Sequence, residues 1–367
     1  MTAVESRTGP DVPRTRRAGW RRWLGPALSL ALVVAVFAWF LPQFTSLSDV
    51  WTSVRAMTWI EVGLLLLAAM WNLATYQFLM MTTTPGLTFR QATVSTETST
   101  AVSNTVVGGA AIALGLTYAM NSSWGFSRSR TSVSLLISGL WNNFAKLGLP
   151  VLALVLLAFS APPTTGRLIA GLLGVTALIA AVLALGMLLR SEAAAARLGV
   201  GAARAASALR RLLGRGPVTG WDLATTKFRR RTVLLLRARW HWITLATVVS
   251  HLSLFLVLLL ALRFVGVGAD QVGLAEALAV FAFARLLTAV PLTPGGLGVV
   301  ELALITGLST AGGPNALVAA AVLVFRALTF VLPIPIGLGT YVFWRRNRSW
   351  RRAPNAAPRT ELVPESV

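Results

Sequence analysis

Long apolar runs separated by short polar segments dominate the chain. The continuous apolar stretches are 24–41, 59–80, 132–158, 168–189, 240–262 and 315–343. Each of them is about long enough to cross the ~30 Å hydrocarbon core of a bilayer as a helix. The pattern therefore predicts six transmembrane helices. In the last of them, Pro333 and Pro335 predict a kink or an unwound turn.

Two further segments, 90–120 and 274–310, are apolar enough to enter the bilayer but have polar or helix-breaking centres. The first contains Ser and Thr residues on both sides of Glu97 and then a glycine pair, and the second contains several prolines and glycines. Irregular backbone at membrane depth is tolerated only where protein or a water-filled cavity covers it. We therefore predict two re-entrant helical hairpins. Their predicted elbows are Gly108 and Gly109 in the first hairpin and Pro294, Gly295, Gly296 and Gly298 in the second. The alternative is an eight-span fold in which both hairpins cross fully.

The two hairpins align as an internal repeat. A shift of 187 residues places the glycine pair of the first elbow on the pair in the second, and it also places Gly86 on Gly273. Three predicted spans separate the two hairpins, so the second hairpin enters the membrane from the opposite face. This is an inverted-topology repeat, which many transporters use to place a substrate site between their halves. The predicted fold class is thus an all-α polytopic membrane protein.

Composition and charge agree with a membrane protein. The chain has 367 residues, of which 55% are hydrophobic and 12% charged, and its formal net charge is +21. Such a charge also occurs in nucleic-acid-binding proteins, but those carry many more charges of both signs, so nucleic acid is not an expected partner. The chain has no cysteine, which excludes disulfides and zinc–thiolate sites. No motif for ATP, zinc or a dinucleotide is present, and no metal or cofactor is expected.

The basic residues also predict the orientation of the chain. With the N-terminus inside, most of the 33 Lys and Arg residues lie on the cytoplasmic side. The predicted organisation is a basic tail at 1–23, a first membrane unit at 24–189, a basic loop at 190–239, a second membrane unit at 240–344 and a basic tail at 345–367. The positive-inside rule therefore predicts a multi-pass protein of the cell membrane with both termini cytoplasmic. The basic segments favour anionic membrane lipids as partners.

A few polar and ionisable residues lie inside the predicted membrane segments, where each charge costs about 2.5 to 3.5 kcal/mol. The candidate substrate-binding residues are Glu97, Asn104, Asn142, Lys146, Arg285, Glu301 and Arg326. One interpretation is that the charges pair and hold the hairpins to the bundle. The other is that Lys146, Arg285 and Arg326 bind a lipid phosphate, while the two acids position them or bind a cationic headgroup. Ser134, Ser138, Asn142 and Lys146 recur every four residues, which predicts one polar stripe on a helix facing the first hairpin.

One motif connects the chain to a known family. The second elbow reads Pro-Gly-Gly-Leu-Gly-Val-Val-Glu, and a polar hairpin with an Asn and a Gly pair precedes it. This pattern resembles the transmembrane region of lysylphosphatidylglycerol synthases and the stand-alone relatives of that region, over about 24–344. In the bifunctional members this region is a flippase for aminoacylated phosphatidylglycerol. Because the chain ends at Val367 after a short basic tail, we expect a member without the aminoacyltransferase domain.

The resemblance implies a flippase that moves an anionic or aminoacylated phospholipid, or a lipid-linked precursor, between leaflets. We expect no enzymatic activity. Two alternatives are open. One is an integral-membrane transferase, in which Glu97 and Glu301 form a catalytic carboxylate pair. The other is a scaffold that recruits a separate lipid synthase through its basic loop. The sequence leaves the lipid, the driving force and the oligomeric state open.

Overall fold

The computed structural model describes residues 47–106, 109–160, 165–190, 221–288 and 293–352. The helices are α1 (Leu47–Arg55), α2 (Trp59–Thr83), α3 (Phe89–Thr105), α4 (Gly109–Ser123), α5 (Arg128–Ser160), α6 (Thr165–Arg190), α7 (Trp221–Phe264), α8 (Leu274–Leu287), α9 (Val299–Thr310), α10 (Asn315–Arg326) and α11 (Pro333–Arg346). Throughout these ranges the regular structure is helical. The basic tail at 1–23, the predicted span at 24–41 and the predicted elbow residue Gly108 lie outside the described residues.

Four of the described helices are long and apolar enough to cross a membrane. They are α2, α5, the part of α7 at Phe228–Phe264 and the continuous helix Asn315–Arg346 that joins α10 and α11. A shorter apolar stretch, Leu172–Met187, lies in α6. Five of the six predicted spans fall on these helices. The prediction of an all-α polytopic membrane protein is confirmed, whereas the number of crossings and the re-entrant character of the hairpins stay predictions.

Capping boxes define where two of these helices begin. At the start of α2, the Thr58 hydroxyl accepts from the Glu61 backbone N–H, and the Glu61 carboxylate accepts from the Thr58 N–H. Thr88 and Gln91 form the same pair of hydrogen bonds at the start of α3. Each box satisfies backbone donors that have no partner within the helix. The first hairpin is thereby separated from α2 by a short turn.

A π-helical turn, Ala327–Val331, interrupts the last span at the predicted place. The Leu332 N–H donates to the Ala327 carbonyl at 2.8 Å, and Pro333 follows directly as the first residue of α11. Since proline has no N–H to donate, the helix cannot continue its regular ladder through this point. Local π-helical turns of this kind absorb the disruption without ending the helix.

The second membrane unit provides most of the apolar core. Its buried residues come mainly from α7, α8, α9 and α10. Ala319, Ala320 and Ala321 in α10 are fully buried. Small side chains let helices approach closely, which is how membrane helices gain packing energy without a hydrophobic driving force. By contrast, α6 exposes large apolar residues such as Leu172 and Leu173, which is typical of a surface that faces lipid.

The helix contacts have the reciprocal pattern of a repeat. Each unit contains one long helix, one hairpin and a following span: α2, α3–α4 and α5 in the first, and α7, α8–α9 and α10–α11 in the second. The hairpin helix α3 packs against α11 of the second unit, and the hairpin helix α8 packs against α5 of the first. The helices α2 and α7 pack against each other. They are antiparallel, because Asn72 of α2 contacts Ser250 and Ser253 while Thr82 lies beside Arg239 and Trp242. Inverted units related by a pseudo-two-fold axis have these contacts.

Candidate functional site

A cavity of about 540 Å³ lies where the two hairpin tips meet. We call it the central cavity. Its lining comes from α3, α4, α5, α7, α8, α9 and α10, from the second elbow and from the π-helical turn. Six of its polar side chains are Asn104, Asn142, Lys146, Arg285, Arg326 and Thr329. A volume of this size is typical of sites for small ligands. Five of the seven predicted site residues line this cavity.

Two of the three basic side chains in the central cavity have almost no partners. Lys146 is 8% exposed and donates from Nζ to the Thr288 backbone oxygen at 3.3 Å. Arg285 is half-buried, and its Nε has no hydrogen-bond partner within the described residues. Neither side chain forms an ion pair with a described carboxylate. Buried guanidinium and ammonium groups are normally paired, because leaving water without a counter-charge is costly.

The third base, Arg326, is held by several contacts. Its Nε donates to Glu301 Oε1 at 2.7 Å, and its Nη2 donates to the Gly295 backbone oxygen at 3.1 Å. Its guanidinium also lies 4.7 Å from the centre of the Phe330 ring. Glu301 is in the first turn of α9, directly after the second elbow. The ion pair therefore connects the second hairpin to α10.

The charges around the central cavity do not balance. Three basic side chains and no acidic one line it within the described part of the chain. Glu301 lies outside the lining and compensates Arg326 alone. The undescribed stretches next to the elbows, 107–108 and 289–292, contain no ionisable residue in the sequence. The cavity thus has about two uncompensated positive charges at membrane depth, an arrangement suited to an anionic ligand.

Glycine conformation builds the second elbow. Pro294–Gly296 forms a 3₁₀ turn, and Gly295, Gly296 and Gly298 have φ angles of 58°, 71° and 80°. These left-handed conformations favour glycine over residues with a Cβ. A Cβ on Gly295 would also collide with the Phe330 ring. The elbow can therefore lie directly against the π-helical turn and bring its backbone to the cavity.

The first elbow reaches the same turn from the other side. Asn104 Nδ2 donates to the Phe330 backbone oxygen at 3.1 Å. The predicted elbow residue Gly109 begins α4, and a Cβ there would collide with the Val102 carbonyl. The backbones of α3 and α4 are thus in close contact at the tip. Both hairpins end on Phe330, which the sequence analysis did not identify. Its only sequence signal is its position before the two prolines of the last span.

Glu97 is not part of the cavity lining. Its side chain is 2% exposed, and its Oε1 accepts a hydrogen bond from Gln77 Nε2 at 2.6 Å. Its other oxygen has no partner within the described residues. The structure therefore separates Glu97 from the three bases and does not place it in a pair with Glu301, which binds Arg326.

The predicted polar stripe of α5 divides into two parts. Ser134 bonds to the hydroxyls of Thr83 and Thr84 at the end of α2, at 2.9 and 2.6 Å. Ser138 donates to the Leu135 carbonyl of its own helix. Only Asn142 and Lys146 reach the central cavity. Ser134 therefore connects α5 to the end of α2, whereas only the C-terminal part of the stripe faces the site.

Long apolar helices, with two hairpins that meet at a positively charged cavity, define a polytopic membrane protein. The chain belongs to the family described as the lysylphosphatidylglycerol synthase TM region, whose family model matches residues 24–337. The resemblance seen in the second elbow is therefore confirmed, and the family indicates a lipid-related function for this membrane protein. No curated protein matches the chain.

Proposed function

We propose that this protein moves an anionic phospholipid, or another lipid-linked anion, between the two leaflets of the cell membrane. The observation that supports the proposal is that two basic residues of the central cavity, Lys146 and Arg285, have no carboxylate partner within the described residues. A phosphate supplies the missing negative charge and accepts several hydrogen bonds at once. The family match supports a lipid as the source of that phosphate.

The central cavity suits a headgroup. Its volume of about 540 Å³ matches a small polar ligand, and its apolar walls include Leu254, Phe281 and Phe325. In our proposal, Lys146 and Arg285 bind the phosphate while the acyl chains stay in the lipid around the bundle. Arg326 adds a third positive charge, and Glu301 holds it in place. An aminoacylated headgroup is also accommodated, since its phosphate remains.

Movement of the lipid requires that the cavity opens to one leaflet and then to the other. The described contacts between the two elbows and the last span include the Asn104 bond to Phe330 and the Arg326 bond to Gly295. We propose that rocking of the two inverted units around these contacts exposes the cavity alternately, as in other transporters with inverted repeats. Both termini are cytoplasmic in this proposal, as the basic residues predict.

A leaflet-exchange assay tests the function. Purified protein in proteoliposomes should transfer labelled phosphatidylglycerol or lysylphosphatidylglycerol between leaflets faster than protein-free vesicles do. Arg285→Ala and Lys146→Ala should each slow the transfer about tenfold or more, because each removes a charge-assisted contact to the phosphate. Arg90→Ala is the matched control, since Arg90 is an exposed arginine of α3 outside the cavity lining.

The same samples distinguish the other functions. Wild-type transfer rates in both cavity variants, with normal expression, would refute the assigned site. Chemical conversion of the labelled lipid by the purified protein would indicate a transferase instead. A scaffold would show neither transfer nor conversion alone and would copurify with a lipid synthase.

A further inference from the structure

A second groove lies on the outside of the bundle, between α2 and α7. We call it the α2–α7 groove. Its volume is about 450 Å³, and its lining includes Trp71, Phe78, Leu87, Arg239, Trp242 and Leu245. None of its lining residues belongs to the central cavity. Its walls are mostly aliphatic and aromatic, with one basic side chain, Arg239. No part of the proposed transport site accounts for this arrangement.

The length of the α2–α7 groove matches one leaflet. On α7 it extends from Arg239 to Val249, which is about 15 Å along a helix axis at 1.5 Å per residue. The hydrocarbon core of a bilayer is ~30 Å thick, so the groove covers about half of it. One acyl chain of a phospholipid has this reach. At the deep end, the exposed ring of Trp71 forms part of the wall.

The basic end of the groove lies at headgroup level. Trp240 and Trp242 are 57% and 55% exposed, and exposed tryptophans of membrane helices concentrate at the interface. Arg239 directly precedes Trp240 in sequence and is half-buried. Within the described residues its side chain forms no ion pair. Arg237, an exposed residue two positions earlier in α7, adds to the positive potential near this end of the groove. The chemistry at this end favours an anion, and the chemistry of the rest favours a hydrocarbon chain.

We propose that the α2–α7 groove binds one anionic phospholipid of the leaflet on the Arg239 side. Its phosphate contacts the Arg239 guanidinium, and one acyl chain packs against Phe78, Trp242 and Leu245. A free phosphate would contact only one cation of the groove lining and would leave the apolar walls uncovered. We therefore assign the groove to a lipid. Because α2 and α7 join the two inverted units, this lipid contacts both units at once.

Site-specific photocrosslinking tests the proposal. A photoreactive p-benzoylphenylalanine replaces Leu245, which lines the groove and is 52% exposed, in protein held in bilayers of equal phosphatidylglycerol and phosphatidylcholine. Illumination should give about tenfold more phosphatidylglycerol adducts than phosphatidylcholine adducts, as one charge-assisted contact implies. The same amino acid in place of Val248, which is exposed on α7 outside the groove, should show no preference.

Two arginine variants identify the contact. Arg239→Gln should abolish the preference at position 245, whereas Arg237→Gln, at an exposed neighbour, should retain it. Ala246→Phe fills the groove while leaving Arg239 in place, and it should reduce adducts of both lipids. Thermal unfolding of each purified variant shows that it is folded.

Other results would overturn the proposal: no preference in the wild type, a preference that survives Arg239→Gln, or equal loss with Arg237→Gln. Competition by soluble glycerol phosphate would also overturn it, since the site would then bind a free anion. The test is independent of transport, because Arg285→Ala should leave the preference at position 245 unchanged. In the wild-type protein, absence of leaflet exchange together with the crosslinking preference would refute the transport proposal, and leaflet exchange without the preference would refute the groove proposal.

Discussion

Asn104 and Phe330 are 226 residues apart, and the Asn104 side chain donates a hydrogen bond to the Phe330 backbone oxygen at 3.1 Å. The acceptor is in the π-helical turn of the last span, so the bond connects the first hairpin to the second unit. Gly295 of the second elbow lies beside both residues, since a Cβ added to it would collide with the Phe330 ring and lie 3.2 Å from Asn104 Oδ1. The two hairpin tips and the last span thus come together at one place beside the central cavity.

Asn104→Ala should lower the free energy of unfolding by about 1 to 3 kcal/mol, because it removes a buried donor and leaves a buried carbonyl without this partner. Thr105→Val is the matched control. Within the described residues, the Thr105 hydroxyl bonds only to the Ala101 carbonyl of its own helix, so its loss should cost little. Thermal unfolding in detergent measures both. Equal effects of the two substitutions would show that the Asn104–Phe330 hydrogen bond adds no more to the free energy of unfolding than a bond within one helix.

The ion pair of Arg326 and Glu301 predicts a different pattern. Glu301→Ala leaves the Arg326 charge buried without a carboxylate, and it should destabilise the protein by about 3 to 5 kcal/mol. Adding Arg326→Met removes that charge, so the double variant should regain much of the stability. Because Arg326 lines the central cavity, leaflet exchange should stay slow in the double variant. Additive losses of stability, measured by thermal unfolding, would contradict the assignment of a buried pair.

The sequence predicted the elements of this fold better than their contacts. Lys146, Arg285 and Arg326 are conspicuous in sequence because charges are rare in apolar runs, and all three line the central cavity. Glu97 is equally conspicuous, but it faces Gln77 of α2. The direction that a side chain faces around a buried helix depends on the packing of that helix against its neighbours. Residue spacing alone does not contain this information when every face of the helix is covered.

The partners of the site residues could not be predicted from the sequence either. Thr288 and Gly295 bind Lys146 and Arg326 through backbone oxygens, which any residue type provides. The π-helical turn was predictable as a kink from Pro333 and Pro335, which follow it. The contact of this turn with both elbows was not predictable, because it depends on how two units that are distant in sequence pack together. The sequence therefore predicted the class of protein and the charged candidate residues. Only the tertiary structure shows which of these residues line the central cavity and which make contacts outside it.

Glu97→Gln should transfer lipid within about twofold of the wild-type rate, because the side chain does not line the central cavity and Gln can keep the contact with Gln77. Arg285→Gln, compared in the same leaflet-exchange assay, should be at least about tenfold slower. Glutamine replaces a charged group in both variants, so the comparison isolates position. A Glu97→Gln rate as slow as that of Arg285→Gln would place Glu97 on the lipid pathway after all.

The orientation of the chain is testable because the native sequence lacks cysteine. Single cysteines at Gly166 and Gly220 should react with a membrane-impermeant maleimide from opposite sides. Gly166 is exposed at the start of α6 and should be labelled in intact cells. Gly220 lies in the predicted cytoplasmic loop and should be labelled only after permeabilisation. Labelling of both positions from one side would contradict the predicted topology.

Two glycines of α11 provide the sharpest test of how the first hairpin packs. Gly337 is buried against α3, and a Cβ there would collide with the Glu97 carbonyl and the Ala101 side chain. Gly339, on the same helix, has nothing within 4 Å of such a Cβ. Gly337→Ala should therefore lower the free energy of unfolding by about 1 to 3 kcal/mol through overpacking. Gly339→Ala should raise it by up to about 1 kcal/mol, because alanine favours the helix more than glycine does. Thermal unfolding of the two variants in detergent compares them directly. If both substitutions changed stability in the same direction and by the same amount, α3 and α11 would not be in this close contact.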